Sequence, residues 1–267
     1  MAKLDYIELR GDRSLTRIPI VYEDRSVMAI DKPAWWMLVP FDWQRTDRNL
    51  AAAIASSLEA RDFWARSRNL KFLRNVHRLD AETTGVLLLA KSAGGVNTFG
   101  DLFESRRMEK TYLAVVRGVP KKSEWTIRLN LAPDPACIGR MKVDESTGKE
   151  AETSFRLVES RAGHTLVEAH PFTGRTHQIR LHLQASGHPI VGDPMYGSAP
   201  GLPPKSAKGV LEYPMALRAV GLNYIDPFTR RETRIRAPVE RFLKAFGFEP
   251  PPLVKPKSTV EIPVPGC

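Results

Sequence analysis

Cysteine is nearly missing from this chain. Cys137 and Cys267 are the two among 267 residues, too few for a disulfide framework and without the spacing of metal ligands. A reducing, cytoplasmic setting is therefore expected. Long hydrophobic runs are missing as well. The longest apolar stretch, residues 34–41, falls far short of the roughly 18 residues that cross a bilayer, so no membrane association is expected. The opening MAKLDYIELRGDR has no apolar segment of the secretory kind. Neither G-x-G-x-x-G nor the P-loop pattern occurs, so nucleotide cofactors have no local signature. No internal repeat is visible. Acidic residues are in deficit, 30 against 40 basic, which leaves a net charge of +10. That imbalance points to a polyanionic partner, most economically nucleic acid. What remains is ordinary: 42% hydrophobic and 26% charged residues fit a soluble globular protein.

Patterning along the chain predicts one α+β domain around a mainly antiparallel sheet flanked by helices. Residues 1–17 are polar and read as an irregular arm. Residues 21–30 read as strand broken by an acidic turn at Glu23-Asp24, with Lys32-Pro33 as the stop. Asp47 or Asn49 is placed to cap a helix carrying Leu50, Ile54 and Leu58. Val96, Phe99, Leu102 and Phe103 predict a second helix ending near Arg106-Arg107, and 111–116 a strand with Tyr112, Ala114 and Val116 on one face. Residues 130–150 have no clear period and read as a long functional loop. Strands are expected at 153–158, 166–169, 217–225 and 233–237, the last two joined through Asp226-Pro227. A helix is expected over 176–186, closed by Gly187. The proline-rich end, 248–267, reads as extended or disordered.

Two segments carry chemistry. Residues 61–78 hold Arg61, Arg66, Arg68, Lys71, Arg74 and Arg78 against one acid, Asp62, with Phe63, Trp64 and Phe72 interleaved. This is the expected electrostatic track for a nucleic acid. Residues 77–85 read HRLDAETTG, and Val86, Leu87, Leu88 and Leu89 follow at once. A short apolar run bounded by turn chemistry is the signal of a buried strand, with Thr83, Thr84 and Gly85 supplying the turn. Asp80 is thereby placed at the rim of a rigid sheet, with Arg78 two residues away on the same side.

The string HRLDAETTG resembles the active-site signature of the RluA-type pseudouridine synthases. Three more segments agree in order and spacing. VYEDRSVMAIDKPAWWMLVP, 21–40, is similar to the family's first motif; EKTYLAVVRG, 109–118, to the strand that carries an active-site tyrosine; and HPFTGRTHQIRLHLQASGHPIVGDPMYG, 170–197, to its long third motif. The resemblance spans about residues 18–245. It implies the pseudouridine synthase fold, a bent mixed sheet with the cleft across its middle. The domain is expected at 18–247, without a separate N-terminal RNA-binding module. Two departures stand out. Thr83-Thr84-Gly85 replaces Thr-Ser-Gly, and Trp35-Trp36 follow Ala34 where the family has Lys-Pro-x-Gly.

The resemblance implies isomerisation of uridine to pseudouridine in rRNA or tRNA, with no cofactor; a monomer is expected. Asp80 is the implied catalytic residue, able either to attack the anomeric carbon or to remove a ribose proton. Burial penalises a charged carboxylate, and a cation at contact distance offsets that; Arg180 is the implied partner. On the expected helix Arg180 shares a face with His177 and Gln184, while Ile179 and Leu183 form a separate apolar row. Tyr112 is implied to lie against the flipped uracil, and Arg78 to fill the gap that the base leaves. His77 is implied to order the loop and Lys32 to make a lesser active-site or phosphate contact. Thr83, Arg175 and His177 complete the implied substrate-binding set. His164, His170, His177, His182 and His188 match no zinc pattern, so no metal is expected.

Overall fold

The structure, a computed structural model, describes residues 4–10, 15–38, 48–197 and 212–249. Its elements, in chain order, begin with strands β1 (Tyr6–Arg10), β2 (Leu15–Glu23) and β3 (Val27–Lys32). Helices α1 (Leu50–Glu59) and α2 (Phe63–Arg66) follow, then β4 (Arg74–Asn75), β5 (Thr84–Ala90), α3 (Ala93–Glu104) and β6 (Glu109–Arg117). The second half contains β7 (Glu124–Pro133), β8 (Met141–Val143), β9 (Lys149–Arg161), β10 (His164–Pro171) and α4 (Gln178–Ala185). It closes with β11 (Leu217–Ile225), β12 (Glu232–Arg236) and α5 (Glu240–Ala245). The main sheet path runs β1-β2-β3-β5-β11-β6-β10-β9-β7-β8, with β4 beside β5 and β12 beside β11. The β5–β11 pair is parallel and the other pairings are antiparallel, which is the mixed α+β architecture expected.

The apolar run after the HRLD segment explains why the centre is solid on both faces. All seven residues of β5 are buried, and period-two alternation sends them to opposite sides. Leu87 and Leu89 pack with Met28, Ile30, Trp36, Ile54 and Trp64. Val86 and Leu88 pack with Val27, Ala29, Phe99, Leu102 and Leu222. A third core, beyond β11, gathers Val115, Phe155, Val167, Ile179, Leu217 and Phe242. Gly85 sits at the seam with φ +110°, and a Cβ there would lie 2.0 Å from the Ala219 carbonyl oxygen of β11. Only glycine permits that approach of backbone to backbone.

Capping follows the sequence signals. Asn49 Oδ1 accepts from the Ala52 amide at 3.0 Å, and Ser92 Oγ accepts from Gly95 at 3.1 Å; Asp47, the other candidate cap, lies outside the described residues. Asp226 Oδ1 accepts from the amides of Phe228 and Thr229 and so shapes the β11–β12 turn.

Three expectations need correction. Residues 6–10 are not an irregular arm: Ile7 and Leu9 are fully buried in the α1 core while Tyr6, Glu8 and Arg10 alternate away from it, a period of two that charge masks. Residues 130–150 are not one loop, because β7, β8 and the start of β9 form successive antiparallel pairs there. Their half-exposed face is polar, which weakens the apolar alternation that marks a strand. The packed core also reaches into the segment expected to be extended or disordered: Phe248 is buried beside Phe242 and Leu243. The rest of the proline-rich segment, from 250 onward, lies outside the described residues.

Candidate active site

A cavity of about 420 Å³ opens where the start of β5, the face of β6, the end of α3 and the 171–180 segment meet. Asp80, Arg78, Thr83, Tyr112, Arg175, His177 and Arg180 all line it, as does His77. Of the nine site residues expected from sequence, Lys32 is the exception.

Arg180 is the anchor. Its Nη1 donates to Asp80 Oδ2 at 3.0 Å, across a hundred residues of chain. Its Nε and Nη2 donate to the two oxygens of Asp193, at 2.8 and 2.9 Å, and its guanidinium lies 5.2 Å from the Tyr196 ring centroid. The Arg180 side chain is 1% exposed, Asp193 0% and Asp80 18%. Burial works against the guanidinium charge, but the Asp193 and Asp80 carboxylates outweigh it and raise its pKa above the arginine value. Burial likewise opposes the charge of Asp193, and Arg180 more than offsets this, holding its carboxyl below the usual range. Asp193 Oδ1 also accepts from the amides of Met195 and Tyr196. Asp80 thus receives one arm of an arginine whose other two arms are already fixed. Glu82 lies 3.9 Å from the same guanidinium.

The loop that presents Asp80 is held from below. Lys32, at the end of β3, is fully buried. Its Nζ donates to the carbonyls of Pro33, Ala81 and Thr83 at 3.1, 3.1 and 2.9 Å. Lys32, expected as a lesser active-site or phosphate contact, turns its ammonium to backbone carbonyls beneath the Asp80 loop and does not line the cavity. Burial lowers its pKa to about 7, with Asp80 and Glu82 partly opposing the shift. Trp35 N donates to the Ala81 carbonyl at 2.7 Å, and Trp35 has φ +68°, the left-handed conformation that the glycine of Lys-Pro-x-Gly would take without strain. Trp36 turns inward, 2% exposed, against Leu38, Leu50 and Ile54.

His77 also braces the loop. Its Nε2 accepts from the Leu88 amide at 3.0 Å, and its ring stacks on Phe103 at 4.5 Å. Burial, with Lys110 nearby, pushes its pKa down to about 3, so it is neutral. Arg78 is exposed, and its guanidinium has no hydrogen-bond or ion-pair partner among the described residues. Tyr112, half-buried on β6 opposite Ala219 and Ala169, is kept protonated by burial and by the Asp80 charge, both of which raise its pKa.

The third segment is held by a buried amide. Gln178 Oε1 accepts from Thr173 Oγ1 and the Arg175 amide, while its Nε2 donates to the Glu152 carbonyl and Thr153 Oγ1. Every polar position of this side chain is used, and it fixes the turn into α4. His177 stands at the helix start with φ +55°; its Nδ1 is 3.0 Å from the Tyr196 hydroxyl and its Nε2 3.9 Å from Asp80. Burial lowers its pKa. Arg175 is exposed, and its Nε donates to the Glu150 carbonyl at 3.0 Å. The expected two-faced helix is corrected: residues 178–183 are buried all round, so Gln178 and Arg180 are paired internally and His182 is paired through Nδ1 to Thr153, its buried Nε2 having no partner among the described residues, whereas Gln184 is exposed and on no shared active face. Among the described residues no group of three His, Cys, Asp or Glu is placed to hold a metal.

Sequence reasoning missed Asp193, Glu82, Gln178, Tyr196 and Lys110. Lys110 lines the cavity beside Tyr112 and donates to the Thr173 carbonyl at 2.8 Å; burial and Arg106 lower its pKa to about 8. Its position two residues before Tyr112 on a strand was the available signal. For Asp193 the signal was the turn sequence V-G-D-P, since Gly192 adopts φ +76° and a Cβ there would lie 2.3 Å from the Pro214 carbonyl oxygen.

A carboxylate that is partly exposed, paired to a fixed arginine and faced by a protonated phenol can act as nucleophile or proton acceptor on a ligand in the cavity. The comparisons agree on what kind of ligand. The sequence model of the family described as RNA pseudouridylate synthase matches residues 26–185. The ribosomal large subunit pseudouridine synthase C of Salmonella typhimurium is 34% identical over 226 residues, 84% of this chain and 67% of that one. Its namesake in Yersinia pestis is 32% identical over 249 residues, 91% and 70% of the two chains. Among solved structures, human RNA pseudouridylate synthase domain containing 1 superposes with a TM-score of 0.61 at 25% identity, over 83% of each chain. Human RNA pseudouridylate synthase domain containing 4 shares the fold, with a TM-score of 0.64 at 24% identity over 85% of this chain and 90% of that one. This chain belongs to the RNA pseudouridylate synthase family, in its RluA-type branch, and is an isomerase that converts uridine in RNA to pseudouridine.

Proposed function

We propose that this protein modifies uridine in large-subunit ribosomal RNA, as a cytoplasmic monomer, with Asp80 at the reacting centre. The carrying observation is the Asp80 carboxylate at the cavity rim, bonded to Arg180 at 3.0 Å with Tyr112 lining the same cavity. In the reaction the bond from uracil nitrogen 1 to the anomeric carbon breaks, and a bond from carbon 5 to that carbon replaces it. Nitrogen 1 gains a proton and carbon 5 loses one, so atoms and electrons balance without an oxidant or a phosphate donor. Asp80 attacks the anomeric carbon or takes a ribose proton; Arg180 holds its carboxylate in place through a hydrogen bond in either case. The Tyr112 ring supports the everted uracil, and its hydroxyl relays the carbon 5 proton. Arg78, exposed at the mouth and without a partner among the described residues, occupies the gap left in the RNA. Thr83, Arg175 and His177 line the path of the nucleotide, while His77 positions the loop. The ribosomal substrate is supported by the names of the bacterial relatives and by the +10 charge.

Large-subunit ribosomal RNA transcribed with uracil tritiated at carbon 5 tests this. The wild-type protein should release tritium and leave pseudouridine on nucleoside analysis, whereas Asp80→Asn should bind the RNA and release none. Release by Asp80→Asn equal to wild type would refute the assignment. Release from tRNA but not ribosomal RNA would refute the substrate.

A further inference from the structure

The basic segment 61–78 is not one uniform track. Arg68 is a buried structural residue: its Nε donates to Glu23 at 2.9 Å, its Nη1 to the Trp64 carbonyl, and its Nη2 to the Leu4 carbonyl, and its side chain is 3% exposed. Arg78 belongs to the catalytic cavity. The remaining four cations, Arg61, Arg66, Lys71 and Arg74, are exposed and surround a second cavity of about 990 Å³ between α1 and residues 66–75. None of the four has a side-chain hydrogen bond or ion pair among the described residues, and Glu59 is the one acid in the lining.

The floor has the opposite character. Ile54, Leu58, Leu70, Leu73 and Leu89 form it, with the half-buried Phe72 beside them. A phosphate alone gains nothing from such a floor, and the volume far exceeds it. An apolar concavity ringed by unpaired cations suits a planar base seated inside with its flanking phosphates on the rim. The Asn69 side chain, also in the lining and without a partner among the described residues, offers a donor and an acceptor to a base edge. A duplex hides its base faces, so the occupant is single-stranded. Arg74 and Arg78 are four residues apart, at most about 14 Å of extended chain, which places the occupant within a few nucleotide steps of the first cavity.

We propose that this second cavity is a nucleotide-binding subsite that captures an unpaired base of the same RNA whose uridine enters the catalytic cleft. The inference rests on the reading that the cleft acts on RNA, and the test separates the two. Binding of a 20-nucleotide oligouridine, a blunt 20-base-pair RNA duplex and heparin is measured for the full-length wild type, Ala55→Trp and Arg61→Gln/Arg66→Gln/Lys71→Gln. Ala55 lines the cavity from an exposed position on α1, so tryptophan there fills the space and leaves every charge in place; unchanged thermal melting verifies folding.

Wild type is expected to prefer oligouridine to duplex. Ala55→Trp should weaken oligouridine binding about tenfold, the scale of one lost base stack, and leave heparin unaffected. The triple variant should weaken both and reduce the salt slope for oligouridine by about 2. With tritiated RNA, Ala55→Trp should raise KM and leave kcat unchanged. Equal oligouridine affinity for Ala55→Trp and wild type, a preference for duplex, or no oligouridine binding would overturn the subsite. If wild type releases no tritium while the binding results hold, the catalytic reading fails and the subsite stands.

Discussion

Asp193 grips Arg180 with both carboxylate oxygens, at 2.8 and 2.9 Å, and leaves one nitrogen of the fork to reach Asp80. The pair is sealed from solvent, so the fork cannot rotate without stranding a buried charge. The direction in which Arg180 points is thus set by a residue that does not line the cavity.

Asp193→Asn separates positioning from chemistry. Removing one charge of a buried pair is expected to cost about 3 kcal/mol of stability, read as a lower denaturant midpoint at constant m-value. Tritium release should show kcat falling tenfold or more with KM changed less than about threefold, because the RNA-facing residues are untouched. A change in KM alone would mean that Asp193 serves binding rather than the orientation of Arg180.

Lys32 predicts a pH dependence. The folded pKa of about 7 lies below the ordinary lysine value of 10.5, so between these values the unfolded chain holds a proton that the native state lacks. Stability from this group therefore rises as pH increases from about 7 towards 10.5, and is at its minimum below 7. Lys32→Met should remove this rise and leave three carbonyls without their donor, at a cost of about 1–3 kcal/mol. Denaturation midpoints at several pH values for both proteins decide the matter; parallel curves would contradict the assignment.

Gly85→Ala should destabilise the protein by about 3 kcal/mol or more, since the added carbon meets a fixed backbone oxygen rather than a movable side chain. Loss of soluble expression or a large drop in melting temperature is the expected result. A near-neutral outcome would show that β5 and β11 separate easily.

Trp35→Gly should act in the other direction. A left-handed non-glycine residue costs about 1–2 kcal/mol, part of which returns as lost glycine entropy, and the indole is 40% exposed. A net gain of roughly 0.5–1 kcal/mol in chemical denaturation is expected, with tritium release unchanged.

These residues also show where the sequence was legible. β5 and α1 were readable because period and length coincide with burial, and the Asp80–Arg180 pairing followed from two matched motifs. Asp193 escaped because its partner depends on a turn geometry that spacing does not express. The place of Lys32 beneath the Asp80 loop was not legible, because a lysine whose ammonium bonds three carbonyls looks, in one dimension, like any strand-end cation. Arg68 was counted with a charged surface although Glu23 and two carbonyls bury it. Residues 6–10 were lost to their charges, and β7 and β8 to a solvent-facing side with little apolar contrast.

The place of β11 has a consequence for timing. It lies between β5, which follows Asp80, and β6, which carries Tyr112, yet it is synthesised long after both. Domains assemble from their earlier-made parts as the ribosome works, but here the middle plank is delivered late. Until it slots in, the strands next to Asp80 and under Tyr112 lack the one that hydrogen-bonds to both. Competence should switch on in a single step when that strand clears the exit tunnel.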